Sequence, residues 1–106
     1  MKQIIRRYLA VLEYIKSIAP ASQASYLRSA PNDLVKFLAN CVLNLRIGVI
    51  ELTPEIFSQL KLQKKLIDKI SRPKISLKLR RQYIAKKGTF NKIISPIIPA
   101  LIDYAK

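Results

Sequence analysis

Lysine and arginine carry most of the chemistry available to this sequence. Twelve of its twenty bases lie between Lys61 and Lys92, in KLQKKLIDKISRPKISLKLRRQYIAKKGTFNK, against a single acid, Asp68. Ammonium and guanidinium groups donate hydrogen bonds and positive charge, so at this density they suit phosphate and other polyanions. The candidate contacts are Lys61, Lys64, Lys65, Lys69, Arg72, Lys74, Lys78, Arg80, Arg81, Lys86 and Lys87. Such contacts neutralise a backbone without reading bases, so binding is expected to be indifferent to sequence and steeply dependent on salt. Reversing Arg80 and Arg81 to Glu is expected to weaken binding to all duplexes alike while leaving helicity intact.

Other chemistries find few residues to use. The chain has no His, one Cys (Cys41), six scattered acids and two glycines, Gly48 and Gly88. That leaves no general acid or base of the usual kind, no Cys/His ligand set for zinc, no internal disulfide and no Gly-rich phosphate loop. Cys41 lies in an apolar run and is expected to pack in the core rather than act as a nucleophile. The expectation is a non-enzymatic protein with no catalytic residue, metal or cofactor. Asp68 is spaced to pair with Arg72 and Lys64.

The bases must be positioned by helices, because apolar residues recur at helical spacing and no stretch alternates with period two. The expected fold is all-α, a single domain over residues 1–106: a small bundle of four to five helices with a basic outer face and an apolar C-terminal helix. Residues 1–19 form an amphipathic helix, with Ile4, Ile5, Tyr8, Leu9, Leu12, Ile15 and Ile18 on one stripe and Arg6, Arg7, Glu13 and Lys16 opposite. Glu13 and Lys16 interrupt its apolar run, so it reads as a helix and not as a signal peptide. The stretch ASQASYLRSAP reads either as a loop or as one short helix over 23–29.

Residues 33–87 supply a central apolar helix and two basic ones. Asn32 or Asp33 is placed to cap the central helix, and Gly48 to end it. Thr53, Pro54 and Glu55 start a helix expected to run unbroken to about Ile70, with Ile56, Leu60, Ile67 and Ile70 inside, flanked by Phe57 and Leu66. Lys61, Lys65, Lys69 and Arg72 then form a ladder along its outside. Pro73 breaks it, Ser76 caps the next, and Lys86, Lys87 and Gly88 close that one, with Leu77, Leu79, Tyr83 and Ile84 facing inward.

The tail, residues 90–106, is apolar. Ser95 and Pro96 read as a new cap and first turn, with Pro99 inside that turn. Ile93, Ile94, Ile97, Ile98, Leu101 and Ile102 are expected to dock on the core; the alternative is a membrane-active or self-association face. No run reaches the length needed to span a bilayer.

The formal net charge is +14 at pH 7, so the folded chain repels itself, and salt or a bound polyanion should stabilise it. Nucleic acid is the commonest such partner, and an anionic membrane surface the main competitor.

The order NCVLNLRIGVIELTP, then IDKISRPKISLKLRRQYIAKKG, then Phe90 and ISPIIPALI, resembles the small basic proteins of Polinton-type and adintovirus elements, which are compared with the adenovirus core protein mu. The likeness runs from about Leu34 to Ile102 and rests on Cys41, Asn44, Gly48, Leu52, Thr53, Lys74, Ser76, Gly88 and Phe90. Thr89 stands where that pattern has a second Gly, and the tail is shorter. The resemblance implies a core protein of a virus or virus-derived element that binds and condenses double-stranded DNA, in a virion core or a host nucleus, with a tail that meets capsid or membrane. Condensation requires one protein to bridge two duplexes, through two basic faces or as a homo-oligomer. The rival readings are a structural subunit of a capsid or ribonucleoprotein, and a membrane-active accessory protein.

Overall fold

Leu34, Val35, Phe37, Leu38, Ala39, Cys41, Val42 and Leu45 are all buried on α3 (Asn32–Arg46). So wide an apolar surface must be covered from more than one side. The computed structural model describes residues 2–106 and supplies the cover in the order α1 (Lys2–Ser17), α2 (Pro20–Arg28), α3, α4 (Pro54–Lys61), α5 (Lys64–Ser71), α6 (Leu77–Ile84) and α7 (Ser95–Ala105). A π turn, Phe90–Ile94, runs directly into α7. There is no strand among the described residues, and one continuous apolar core joins the helices in a body of 31 × 28 × 24 Å.

Helices α5 and α6 pack on each other and both on α3, forming an outer layer over it. Helix α7 packs on α1, while α2 lies against α6 and the π turn. From α1 the core receives Ile5, Leu12 and Ile15, with Ile4 exposed at the edge of the expected stripe.

The chain contains seven α-helices among the described residues rather than four to five, for two local reasons. First, residues 20–28 are helical: Pro20 occupies the first turn, where its missing amide leaves no bond unmade, so it starts α2 rather than merely closing α1. Gln23 then fixes the corner, its buried Nε2 donating to Ile15 O at 2.8 Å and to Asn91 Oδ1 at 2.9 Å. Second, the helix expected from Pro54 to Ile70 breaks at Leu62 and Gln63. Their amides bond three residues back, to Gln59 O at 3.3 Å and Leu60 O at 2.9 Å, a tight turn that separates α4 from α5. Of the inner stripe, Leu60, Ile67 and Ile70 are buried, whereas Ile56 and Leu66 are half-buried and Phe57 is exposed.

The punctuation otherwise follows residue chemistry. Thr53 Oγ1 accepts from Ile56 N at 3.3 Å and Ser76 Oγ from Leu79 N at 3.2 Å, capping α4 and α6. Past α3, Gly48 takes φ +83°, its N–H reaching Leu45 O at 3.3 Å while Val49 N reaches Asn44 O at 3.0 Å. That pair of bonds closes the helix end with a left-handed residue. Pro31, not Asn32 or Asp33, is the N-cap residue of α3, and it offers no side-chain cap.

The C-terminal segment departs in detail. Ser95 N bonds to Phe90 O, five residues back, and Pro96 has no amide with which to continue that ladder, so the helix resets as α7. Ser95 Oγ donates to Asn91 Oδ1 at 3.0 Å instead of capping. Pro99 is the fifth residue of α7, not part of its first turn, and lies on the exposed side. Ile93, Ile94, Ile97, Ile98 and Leu101 are buried in the core and Ile102 is half-buried against it. Arg6 Nε fastens the end of α7 by donating to Ala105 O at 2.8 Å, and Lys2 Nζ lies 5.7 Å from the Tyr104 ring.

Candidate nucleic-acid interface

The basic layer is assembled from short pieces. Lys61 is the last residue of α4, with Nζ 4.9 Å from the Phe57 ring centroid. Helix α5 exposes Lys64, Lys65 and Lys69 while burying Ile67 and Ile70. Lys65 and Lys69 stand one turn apart, about 6 Å along the axis, and Lys69 Nζ lies 5.9 Å from the Tyr83 ring of α6. Arg72 and Lys74 are exposed in the α5–α6 link, Lys78 on α6, and Lys86 and Lys87 in the turn before Gly88. The expected ladder from Lys61 to Arg72 is therefore interrupted at the α4–α5 corner, and only its members from Lys65 onward share a helix or its immediate end.

Two of the eleven candidates are engaged in the fold. Arg81 donates through Nη1 to Ala30 O at 2.6 Å and Leu27 O at 3.0 Å, and through Nη2 to Asn32 Oδ1 at 2.6 Å. Its guanidinium satisfies carbonyls at the end of α2 and ties that end to the start of α3, where a cation is also favoured by the dipole of α2. Arg80 is half-buried and donates through Nη2 to Arg72 O at 2.7 Å. Reversing both to Glu would thus disturb helix packing before it tested binding. Local spacing could not reveal the Arg81 clamp, because Asn32 and Arg81 are 49 residues apart in sequence.

The one acid of the segment is also occupied elsewhere. Asp68 lies 3.5 Å from Arg46 Nε on α3, not against Arg72 or Lys64. This pair is about half exposed, so it contributes little energy, but it offsets Asp68 with a base from outside the segment. Nine candidates remain exposed: Lys61, Lys64, Lys65, Lys69, Arg72, Lys74, Lys78, Lys86 and Lys87. Lys92 is exposed on the π turn and belongs with them; its place in the basic run was the available signal.

Of the aromatics in the basic run, Phe90 is buried and Tyr83 is half-buried beneath Lys69, so neither offers a free face for stacking, whereas Phe57 beside Lys61 is exposed. The Cys41 thiol is buried and pushed up to about 12 by desolvation, so it stays neutral at ordinary pH. Among the described residues no three His, Cys, Asp or Glu side chains are grouped to hold a metal, and no helix is long and apolar enough to cross a membrane. What this surface can do is present its exposed ammonium groups and the exposed Arg72 guanidinium to an extended anion.

No protein-family model, no curated protein and no solved structure matches this chain.

Proposed function

We propose that this protein binds double-stranded DNA without sequence preference and packages it, by phosphate neutralisation and without catalysis. The observation that carries the reading is the layer of nine exposed candidate bases on α4–α6 and their links, whose only local acid is turned to Arg46. A body 31 Å long spans about nine phosphates of one strand, at roughly 3.4 Å per charge, so the number of bases suits a single strand of duplex. Lys2, Arg7, Lys16 and Lys36, on α1 and α3, are exposed as well and provide a further contact through which two duplexes are bridged. Packaging the DNA of a virus or virus-derived element, in a virion core or a host nucleus, is the setting that the Polinton resemblance adds to this reading.

The test is binding to a random-sequence DNA duplex, a matched RNA duplex and anionic vesicles across a salt series. With six to nine phosphate contacts, the log–log salt slope on DNA is expected at about −5 to −8. The triple variant Lys65→Gln, Lys74→Gln, Lys78→Gln removes three exposed bases that make no hydrogen bond among the described residues. It should flatten the slope by up to about 2.7 and weaken binding on the order of 100-fold at 0.1 M salt, equally for all sequences. A variant slope equal to the parent's, a preference for one sequence, or firmer binding to RNA or vesicles than to DNA would refute the proposal.

A further inference from the structure

A second surface differs from the basic layer in having an apolar floor. The end of α3, Leu52 and the facing residues of α4 and α5 line a groove of about 570 Å³. Its floor is Leu45, Leu52, Phe57, Leu60 and Ile67. Helix α4 buries only Leu60, so Phe57 remains 52% exposed, and Leu62, on the corner itself, is 83% exposed. The rim is basic: Lys61 and Lys64 line it without an ion-pair partner among the described residues, while Arg46 and Asp68 offset one another at 3.5 Å.

We infer that this groove docks an amphipathic helix of a partner protein, whose apolar side chains enter the floor and whose flanking acids meet Lys61 and Lys64. An apolar floor with charged edges fits the helix-in-groove mode of recognition, in which anchors recur at i, i+3, i+4 and i+7. Charge complementarity selects among occupants. A phosphodiester backbone has nothing to place against Leu45, Leu52 and Phe57. A second copy of this chain, joined groove to groove about a twofold axis, would set Lys61 and Lys64 against their own equivalents, in a chain that already carries +14. An acidic amphipathic helix satisfies floor and rim together. The inference is independent of DNA binding, although Lys61 and Lys64 belong to both surfaces.

The experiment uses a fluorescein-labelled helical peptide of about sixteen residues, with Leu at i, i+3, i+4 and i+7 and Glu flanking them. Two control peptides replace every flanking Glu by Lys, or every Leu by Ser. Anisotropy at physiological salt should show saturable binding of the Glu/Leu peptide, and at least about tenfold weaker binding of either control. Phe57→Ser should cost a similar factor and leave the DNA salt slope unchanged. Tyr14→Ser, which removes another exposed aromatic on α1 outside the groove, should not affect the peptide. Equal binding of the Ser peptide would reduce the effect to bulk charge attraction, and equal binding of the Lys peptide would remove the role of the rim. Indifference to Phe57→Ser would remove the groove from the interaction. Sedimentation as a dimer that Phe57→Ser dissociates would assign the groove to a second copy. Each of these results overturns the inference, and a flat DNA response would leave it standing.

Discussion

Among the candidate bases Arg81 is the one whose role in the fold is sharpest. Arg81→Ala deletes three short charge-assisted hydrogen bonds, at 2.6, 2.6 and 3.0 Å, to Ala30 O, Asn32 Oδ1 and Leu27 O, and a longer one to Arg28 O at 3.5 Å that adds little. A hydrogen bond to a charged group contributes about 1.5–3 kcal/mol. These three share one half-buried guanidinium, so they do not add in full, and the loss is expected at about 3 kcal/mol. At roughly 4–8 °C per kcal/mol for a domain near 100 residues, taking the lower half of that range, the melting temperature should fall by about 12–18 °C. Arg81→Lys keeps the charge at the end of α2 but loses the planar fork, and should recover about half of the loss.

The assay is thermal melting followed by helical circular dichroism, paired with the DNA salt slope measured where both proteins are folded. The expected pattern is a large fall in melting temperature with a slope that moves by less than one contact, about 0.9. If Arg81→Ala melted within about 3 °C of the parent and lost a full contact in the slope, its guanidinium would be meeting phosphate, and the account of the α2–α3 corner would be wrong.

Gly48→Ala should cost about 1–2 kcal/mol, because φ is +83° while nothing lies within 4 Å of the added Cβ, so the cost is backbone strain alone; urea titration reads it, and a loss below about 0.5 kcal/mol would exclude the left-handed end of α3. Cys41 is held protonated in the fold, with its thiol raised from 9.0 to about 12, so above pH 9 the unfolded chain loses this proton first and the stability due to Cys41 falls as pH rises toward 12. The stability difference between parent and Cys41→Ala should accordingly be flat below pH 8 and shrink above pH 9; a flat difference throughout would place the thiol in a solvated site. Acetylating all thirteen lysines changes the formal charge from +14 to +1, and should abolish duplex binding while keeping helicity and weakening the dependence of melting on salt; loss of helicity on acetylation would mean that lysines hold the fold.

What was legible in the sequence was what neighbouring residues decide. Thr53 and Ser76 cap their helices through amides three residues on, and Gly48 ends α3 because a left-handed residue was needed there. The apolar spacing of the tail implies a docked helix, and five of its six apolar candidates are buried. What was not legible depends on partners distant in the chain. The unbroken helix through Leu62 was favoured by its apolar and basic spacing, yet the chain turns there and α5 goes on to pack against both α3 and α6. The stretch around Gln23 reads equally as a loop or a short helix, because the carbonyl partner of Gln23 on α1 and its amide partner, Asn91, come together only in the fold. The spacing of Asp68 favours a neighbour on its own helix, and in the fold it faces Arg46 instead.

The same distinction sorts the bases by type. With six acids for twenty bases, most cations cannot be paired with carboxylates, and the fold uses carbonyl oxygens in their place. Arg6 reaches Ala105 O at the end of α7, Arg81 reaches Leu27 O and Ala30 O at the end of α2, and Arg80 reaches Arg72 O at the end of α5. Each base meets carbonyls at or just beyond the C-terminus of a helix, where unbonded oxygens and the negative end of the dipole favour a planar, multidentate donor. Lysine, a flexible point charge with a strongly hydrated head, gains less from such a site and stays in water. Eight of the nine exposed candidates are accordingly lysines, with Arg72 the exception. A surface built mostly from lysine would hold an extended anion through many interchangeable contacts and impose little geometry on it, as the proposed sequence-indifferent packaging requires. Arg6, Arg80 and Arg81, whose planar forks suit bidentate reading of a base edge, are instead fastening helix ends.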